Sequence, residues 1–223
     1  MQPVTFVRKQ LIGPDIWEFF FAPAQPVDFL PGQYVHLSLP DVSDARGRER
    51  TLTLTSLPSD AELSFAVKFP DPHSAYKAHL LSLDAGDSAA ISQAMGDLVL
   101  PRDTSRQLVF AAGGLGIASF VSIMKQLILE DSPRDITLLY GHKPDEGLYA
   151  EVTSKCPGLK IREFISPNRM VVGDVLSTDP HALYFVSGGE SFTMGIRKQL
   201  IGAAVPATNI AYDYFDGYAA AEL

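Results

Sequence analysis

The feature that most limits how this chain folds is a change of pattern at about residue 101. Before it, short runs rich in β-branched and aromatic residues (4–9, 16–22, 34–39, 50–55 and 62–69) are separated by turn-forming segments. Those segments are Gly13-Pro14-Asp15, Pro31-Gly32, Pro40-Asp41 and Pro58-Ser59-Asp60. Arg50-Thr51-Leu52-Thr53-Leu54-Thr55 alternates with a period of two, the spacing that sends successive side chains to opposite faces of a strand. Six or so strands in about 100 residues predict a small, closed, antiparallel six-stranded β-barrel, because an open sheet leaves its edges exposed. One short helix interrupts the strands, with Ser74 as its N-cap and Tyr76, Leu80, Leu81 and Leu83 on its apolar side.

After residue 101 the period lengthens. A strand at 108–111 runs into Gly113-Gly114-Leu115-Gly116, and Ile117, Phe120, Val121, Met124, Leu127 and Ile128 then recur at helical spacing. Strands at 136–140, 160–165, 182–187 and 209–212 alternate with helices at 149–156 and 191–200. Short apolar strands alternating with helices predict βαβ units and a doubly wound, Rossmann-like parallel sheet. The polar, charged stretch 101–107 is the natural junction, giving domains over residues 1–103 and 104–223.

Composition excludes several classes. Hydrophobic residues are 46% of the chain, enough for real cores. A net charge of −8 argues against nucleic-acid binding, which needs a basic face to neutralise phosphates. The single cysteine, Cys156, excludes an intrachain disulfide, a four-Cys zinc site and a Cys-ligated iron–sulfur cluster within this chain. It also fits a reducing, cytoplasmic setting. No signal-peptide pattern opens the sequence, and no apolar run approaches the roughly 20 residues of a membrane span. There is no G-x-S-x-G or H-E-x-x-H, and the five histidines lack metal-ligand spacing, so no metal site is expected.

Four segments can carry chemistry, each with two readings. Gly113-Gly114-Leu115-Gly116 lies between a strand and a helix, where glycines admit a phosphate to the helix N-terminus or simply make a tight turn. Ser187-Gly188-Gly189-Glu190 closes another strand in the same way. Arg50, on the same strand face as Leu52, is either a bidentate clamp for a pyrophosphate or a strand end on the surface. The aromatic-rich stretch from Tyr212 to Tyr218 is either a core plug or a flat surface for a planar ligand.

Read in order, these segments resemble the ferredoxin–NADP reductase family. Pro31-Gly32-Gln33-Tyr34-Val35 is similar to its P-G-Q-y-v strand entry, Arg50-Thr51-Leu52-Thr53 to its R-x-Y-[ST] flavin motif, and Gly96-Asp97-Leu98-Val99-Leu100 to its G-x-F-x-L run. Ala112-Gly113-Gly114-Leu115-Gly116-Ile117 is similar to its A-G-G-x-G-I motif. Ser187-Gly188 stands at its Cys-Gly, and Asp213-Tyr214-Phe215 where many members carry an acidic residue and an aromatic.

The resemblance implies an NAD(P)H-dependent, FAD-containing oxidoreductase. It passes electrons to an external one-electron carrier (ferredoxin, flavodoxin or similar) or to a partner redox subunit. Arg50 is expected to hold the flavin phosphates with help from the Ser74 helix, and Thr53 to place a hydroxyl by the flavin N5 edge. Thr51, Leu52 and Lys68 are assigned to the same flavin site. Gly113, Gly114, Gly116, Ile117 and Gly188 are expected to approach the nicotinamide nucleotide. Ser187 and Asp213 belong to the hydride-transfer centre, and Phe215 or Tyr218 to the covered face of the flavin. An acidic carrier would dock on the Arg46, Arg48 and Arg50 cluster.

Departures define the alternative. Leu52 replaces the family's aromatic, Ala118-Ser119 its Thr-Pro, Ser187 its Cys, and Asp71 a glycine before the helix serine. A flavin-binding electron relay or regulatory subunit without a competent nicotinamide site is the reading these favour. Lys143, Ser166 and Arg169 are the groups available to a 2′-phosphate and incline the choice towards NADPH over NADH. Arg169→Ala is therefore expected to lower the NADPH-to-NADH ratio of kcat/KM; an unchanged ratio removes that preference.

Overall fold

The computed structural model describes residues 1–215, so Tyr218 lies outside the described residues. The chain divides into two compact units, Met1–Val99 and the part from Leu100 onward. The sequence suggested a junction after residue 103. In the structure, the guanidinium of Arg134 donates to the carbonyls of Pro101 and Asp103, at 3.4 and 2.9 Å, which ties that stretch to the second unit.

The first unit holds β1 (Gln2–Gly13), β2 (Ile16–Pro23), β3 (Tyr34–Ser38), β4 (Glu49–Thr53), β5 (Leu63–Lys68), α1 (Ala75–Ser82) and β6 (Ser88–Ile91). Its six strands run in the order β4-β3-β6-β1-β2-β5, with antiparallel neighbours. Just beyond β4, Leu54 bridges to Phe65 and the Thr55 N–H donates to Ser64 O at 2.9 Å. The outer strands thus meet and the sheet closes as a barrel, which leaves few strand edges unpaired. Phe6, Phe19, Phe21 and Phe65 fill the interior, with Phe6 and Phe21 edge-to-face at 5.4 Å. β6 is the strand the sequence did not announce. Ser-Ala-Ala-Ile has weak strand propensity, and it is held by pairing to β1 and β3 far along the chain.

The second unit holds β7 (Leu108–Gly113), a 3₁₀ turn (Gly114–Ile117), α2 (Ala118–Leu129), β8 (Ile136–His142), α3 (Ala150–Lys155) and β9 (Leu159–Ile165). It continues with α4 (Val172–Val175), β10 (Leu183–Gly189), α5 (Glu190–Gly202) and β11 (Ile210–Phe215). The parallel five-stranded sheet has the order β11-β10-β7-β8-β9. The chain starts at β7, builds two strands to one side, then returns to add β10 and β11 on the other. Its direction of growth reverses between β7 and β10, the place where open α/β sheets form a crevice at their strand ends. The helix expected from Ile117 onward is α2, with Phe120, Val121, Ile123 and Met124 at 0% exposure. Burial extends round the helix to Ser119 and Ser122, which periodicity alone left unassigned.

Phe110 on β7 stacks on Phe120 at 4.5 Å and meets Phe185 edge-on at 5.4 Å, with no solvent exposure. Phe110→Ala is expected to lower the stability of the parallel-sheet unit by about 3–5 kcal/mol in urea unfolding followed by circular dichroism, and a loss under about 1 kcal/mol contradicts this packing.

Candidate functional site

In the first unit the expected flavin residues fall on β4 and at the start of α1. The β3–β4 register pairs Thr53 with Tyr34 and Thr51 with His36 on one face, and Leu52 with Val35 and Arg50 with Leu37 on the other. The Thr51 hydroxyl is engaged with His36 Nδ1 at 3.2 Å. Thr53 is 4% exposed, and its hydroxyl oxygen has no hydrogen-bond partner. A buried hydroxyl left this way costs about 1–3 kcal/mol, so it marks a place where a ligand can supply what the protein does not. Tyr34 opposite it is held by reciprocal backbone bonds with Met95 at 2.9 Å. Gly96 has φ +107°, and a Cβ there would sit 2.9 Å from the Tyr34 ring. The Gly96 motif thus serves to seat Tyr34 beside Thr53.

Arg50 is committed on several sides. It donates to Asp44 Oδ1 at 2.7 Å and to the carbonyls of Gly47 and Glu49 at 2.9 and 2.7 Å, and its guanidinium lies 4.6 Å over the Tyr76 ring. Ser74 caps α1, its hydroxyl accepting from the Lys77 N–H at 3.3 Å. The preceding amide, Tyr76 N–H, donates to Asp44 Oδ2 at 3.0 Å. The Tyr76 and Arg46 N–H donors, with the Arg50 guanidinium, hold the Asp44 carboxyl well below the usual carboxylate range. The pair therefore adds stability at neutral pH and loses it only as acid protonates that carboxylate. Leu52 packs half-buried on the barrel core, and Lys68 pairs with Asp15 at 3.7 Å, at the β1–β2 turn. The expected residues thus form two clusters: Arg50 with Ser74 at the helix end, and Thr53 with Tyr34 on the opposite face of β4.

In the second unit the glycines gather at the reversal point. Ser187 on β10 pairs with Ala112 on β7 and Asp213 on β11. Its hydroxyl, fully buried, shares a 2.9 Å hydrogen bond with Ser119. At Gly116 even a methyl group would overlap the Ser187 carbonyl, and at Gly113 and Gly188 it would come within 2.9 and 2.8 Å of the Phe192 ring. Close internal packing therefore demands these three glycines. Gly114, at φ +53°, has open space in front of it and meets a backbone requirement instead. Ile117 is fully buried beneath the turn. Asp213 and Phe215 are half-buried on edge strand β11, while Tyr212 and Tyr214 are 41% and 38% exposed. Lys143, Ser166 and Arg169 are all exposed beyond β8 and β9, with Ser166 N–H donating to His142 O at 2.9 Å.

Comparison with known proteins agrees with this layout. No protein-family model matches the chain. It is 25% identical over 241 residues to Flavohemoprotein A of Dictyostelium discoideum, covering 93% of this chain and 58% of that protein. It is 34% identical over 121 residues to the toluate 1,2-dioxygenase electron transfer component of Pseudomonas putida, covering 54% of this chain and 34% of that protein. Among solved structures, the flavohem-like FAD/NAD binding domain of a nitric oxide dioxygenase from Vibrio cholerae superposes with a TM-score of 0.81 at 20% identity, covering 96% of this chain and 98% of that one. Ferredoxin-NADP+ reductase from Plasmodium falciparum with 2′P-AMP gives 0.78 at 18% identity, covering 96% of each chain. The chain has the ferredoxin–NADP reductase fold. It spans well under two thirds of the curated relatives named here.

Within the reductase fold, two residues at these sites escaped the sequence reading. Asp44 lies in an otherwise charged loop, and only its side-chain burial, 5% exposed, sets it apart. Phe192, one turn after Ser187-Gly188, covers the glycine faces that were reserved for a dinucleotide. Its bulk, in the first turn of the helix that follows Ser187-Gly188-Gly189, was the available sign. The two kinds of glycine separate by substitution. Gly116→Ala is expected to cost roughly 1–3 kcal/mol through forced backbone shifts, whereas Gly189→Ala, with nothing within 4 Å, changes stability by less than about 0.5 kcal/mol. Thermal unfolding of both variants checks this, and equal midpoints contradict the close approach at Gly116.

Proposed function

We propose that the chain is the reductase module of an electron-transfer system. FAD sits on the barrel, NADPH or NADH sits on the parallel-sheet unit, and electrons leave to an external one-electron carrier or partner redox protein. The observation that carries the flavin half is Thr53, whose buried hydroxyl oxygen lacks a partner on the strand that also bears Arg50. Bound FAD supplies the chemistry, accepting a two-electron hydride and releasing electrons singly. Arg50, Ser74 and the first turn of α1 offer charge-assisted donors for its phosphates. Thr53 offers a hydroxyl to the ring edge, and Thr51, Leu52 and Lys68 belong to the same assigned set. Asp213 and Phe215, with Tyr218 beyond the described residues, keep their assignment near the flavin face.

The reversal point between β7 and β10 supports the nicotinamide half, with Gly113, Gly114, Gly116, Ile117, Ser187 and Gly188 at or beside the strand ends. Lys143, Ser166 and Arg169, exposed beyond the neighbouring strands, suit a 2′-phosphate. Relatives described as electron transfer or reductase components of dioxygenase systems support a separate acceptor. Arg46 and Arg48, exposed before β4, belong to the face proposed for an acidic one. No helix among the described residues is long and apolar enough to cross a membrane. Cytoplasmic residence belongs to the same proposal, resting on a single buried cysteine, Cys156, whose thiol burial pushes up to about 11.

A second reading, a flavin-bound relay or regulatory subunit without nicotinamide turnover, is favoured by Phe192 against Gly113 and Gly188 and by the closed Ser119–Ser187 pair. One titration separates the two. Protein incubated with FAD and then freed of unbound flavin by gel filtration is expected to absorb at ~450 nm, and anaerobic NADPH or NADH is expected to bleach that band. A band that resists both nucleotides selects the relay, and no band at all overturns both flavin readings.

A further inference from the structure

The β3–β4 connection is exposed along most of its length, but Val42 and Asp44 turn inward. Val42 packs on the barrel core, whereas Asp44 is held by hydrogen bonds. One carboxylate oxygen accepts from Arg50 Nη2 at 2.7 Å and from the Arg46 N–H at 2.9 Å. The other accepts from the Tyr76 N–H in the first turn of α1 at 3.0 Å. A guanidinium and a helix-terminal amide converging on one oxyanion make the donor set that a phosphate recruits. A carboxylate from the chain itself already fills it. The unpartnered Thr53 hydroxyl, on the opposite face of the strand that carries Arg50, is a separate sign that this unit takes a ligand.

We propose that Asp44 is an internal competitor for the flavin phosphate, holding the Arg50 guanidinium and the start of α1 until that phosphate displaces it. The inference rests on the flavin reading given above. Asp44 cancels the Arg50 charge, so an arriving phosphate meets a neutral pair instead of a free cation. Displacement carries Asp44 outwards with its exposed loop, beside Arg46 and Arg48, while the barrel strands stay in place. Asp44 thus weakens phosphate-bearing flavins selectively and does not touch recognition of the ring system.

The test compares the unmodified chain with Asp44→Asn and Asp44→Ser, each checked for folding by circular dichroism. FAD, FMN and riboflavin are titrated by flavin fluorescence, and inorganic pyrophosphate by calorimetry. Both variants are expected to bind FAD, FMN and pyrophosphate on the order of tenfold more tightly, with riboflavin unchanged, while melting at lower temperature without ligand. Equal or weaker binding of FAD, FMN and pyrophosphate by the variants overturns the competitor. If flavins then still bind, the flavin reading itself survives. If no flavin binds any of the three proteins but pyrophosphate tightens in the variants, the competitor stands and the flavin reading falls. Should neither variant fold, the Tyr76 amide resonance of the unmodified chain decides: it shifts with pyrophosphate if Asp44 is displaced, and an unmoved resonance at saturation overturns the proposal.

Discussion

Where the Gly114–Ile117 turn crosses the end of β10, backbone packs directly on backbone, and any side chain at Gly116 would overlap the Ser187 carbonyl. That contact fixes the layout of the second unit. It brings the start of α2 onto β10, so the Ser119 and Ser187 hydroxyls meet in a site closed to water. It also leaves the strand ends of β7 and β10 side by side at the point where the sheet reverses direction, which is where a dinucleotide can cross. Phe192 then caps the glycine surface from α5. Glycine here satisfies packing first, and ligand binding makes use of the shape that packing leaves.

The first unit rests on a different balance. Its interior is a set of phenylalanines and aliphatic side chains, and nearly all of its chemistry is displaced to one strand and one short helix. A guanidinium only 13% exposed would be costly alone, and Asp44 together with nearby carbonyls satisfies it. Thr53 differs, its buried hydroxyl being one the chain does not satisfy. Full satisfaction at Arg50 and none at Thr53 follow naturally if one group has an internal stand-in for its ligand and the other has none.

Much of this was legible in the residues. The two periodicities announced a barrel followed by a parallel sheet, and Ser74 announced the start of α1, because capping and alternation are local properties. β6 was not legible, since Ser88–Ile91 is a strand only through partners distant in sequence. The packing role of Gly113, Gly116 and Gly188 was hidden for the same reason: what occupies the space above a glycine is a tertiary fact. Asp44 looked like one more charge in a polar loop, and nothing local marks which of such charges turns inward. The order of motifs pointed to the family, while the internal occupants of the sites, Asp44 and Phe192, came only from the structure.

The most direct measurement is a crystal structure of the chain soaked with FAD. The flavin ring is expected beside Tyr34 with an edge atom hydrogen-bonded to the Thr53 hydroxyl, and the phosphates on Arg50 at the first turn of α1. FAD bound elsewhere, or a Thr53 hydroxyl still without a partner in the loaded protein, would contradict the assignment of the barrel as the flavin site.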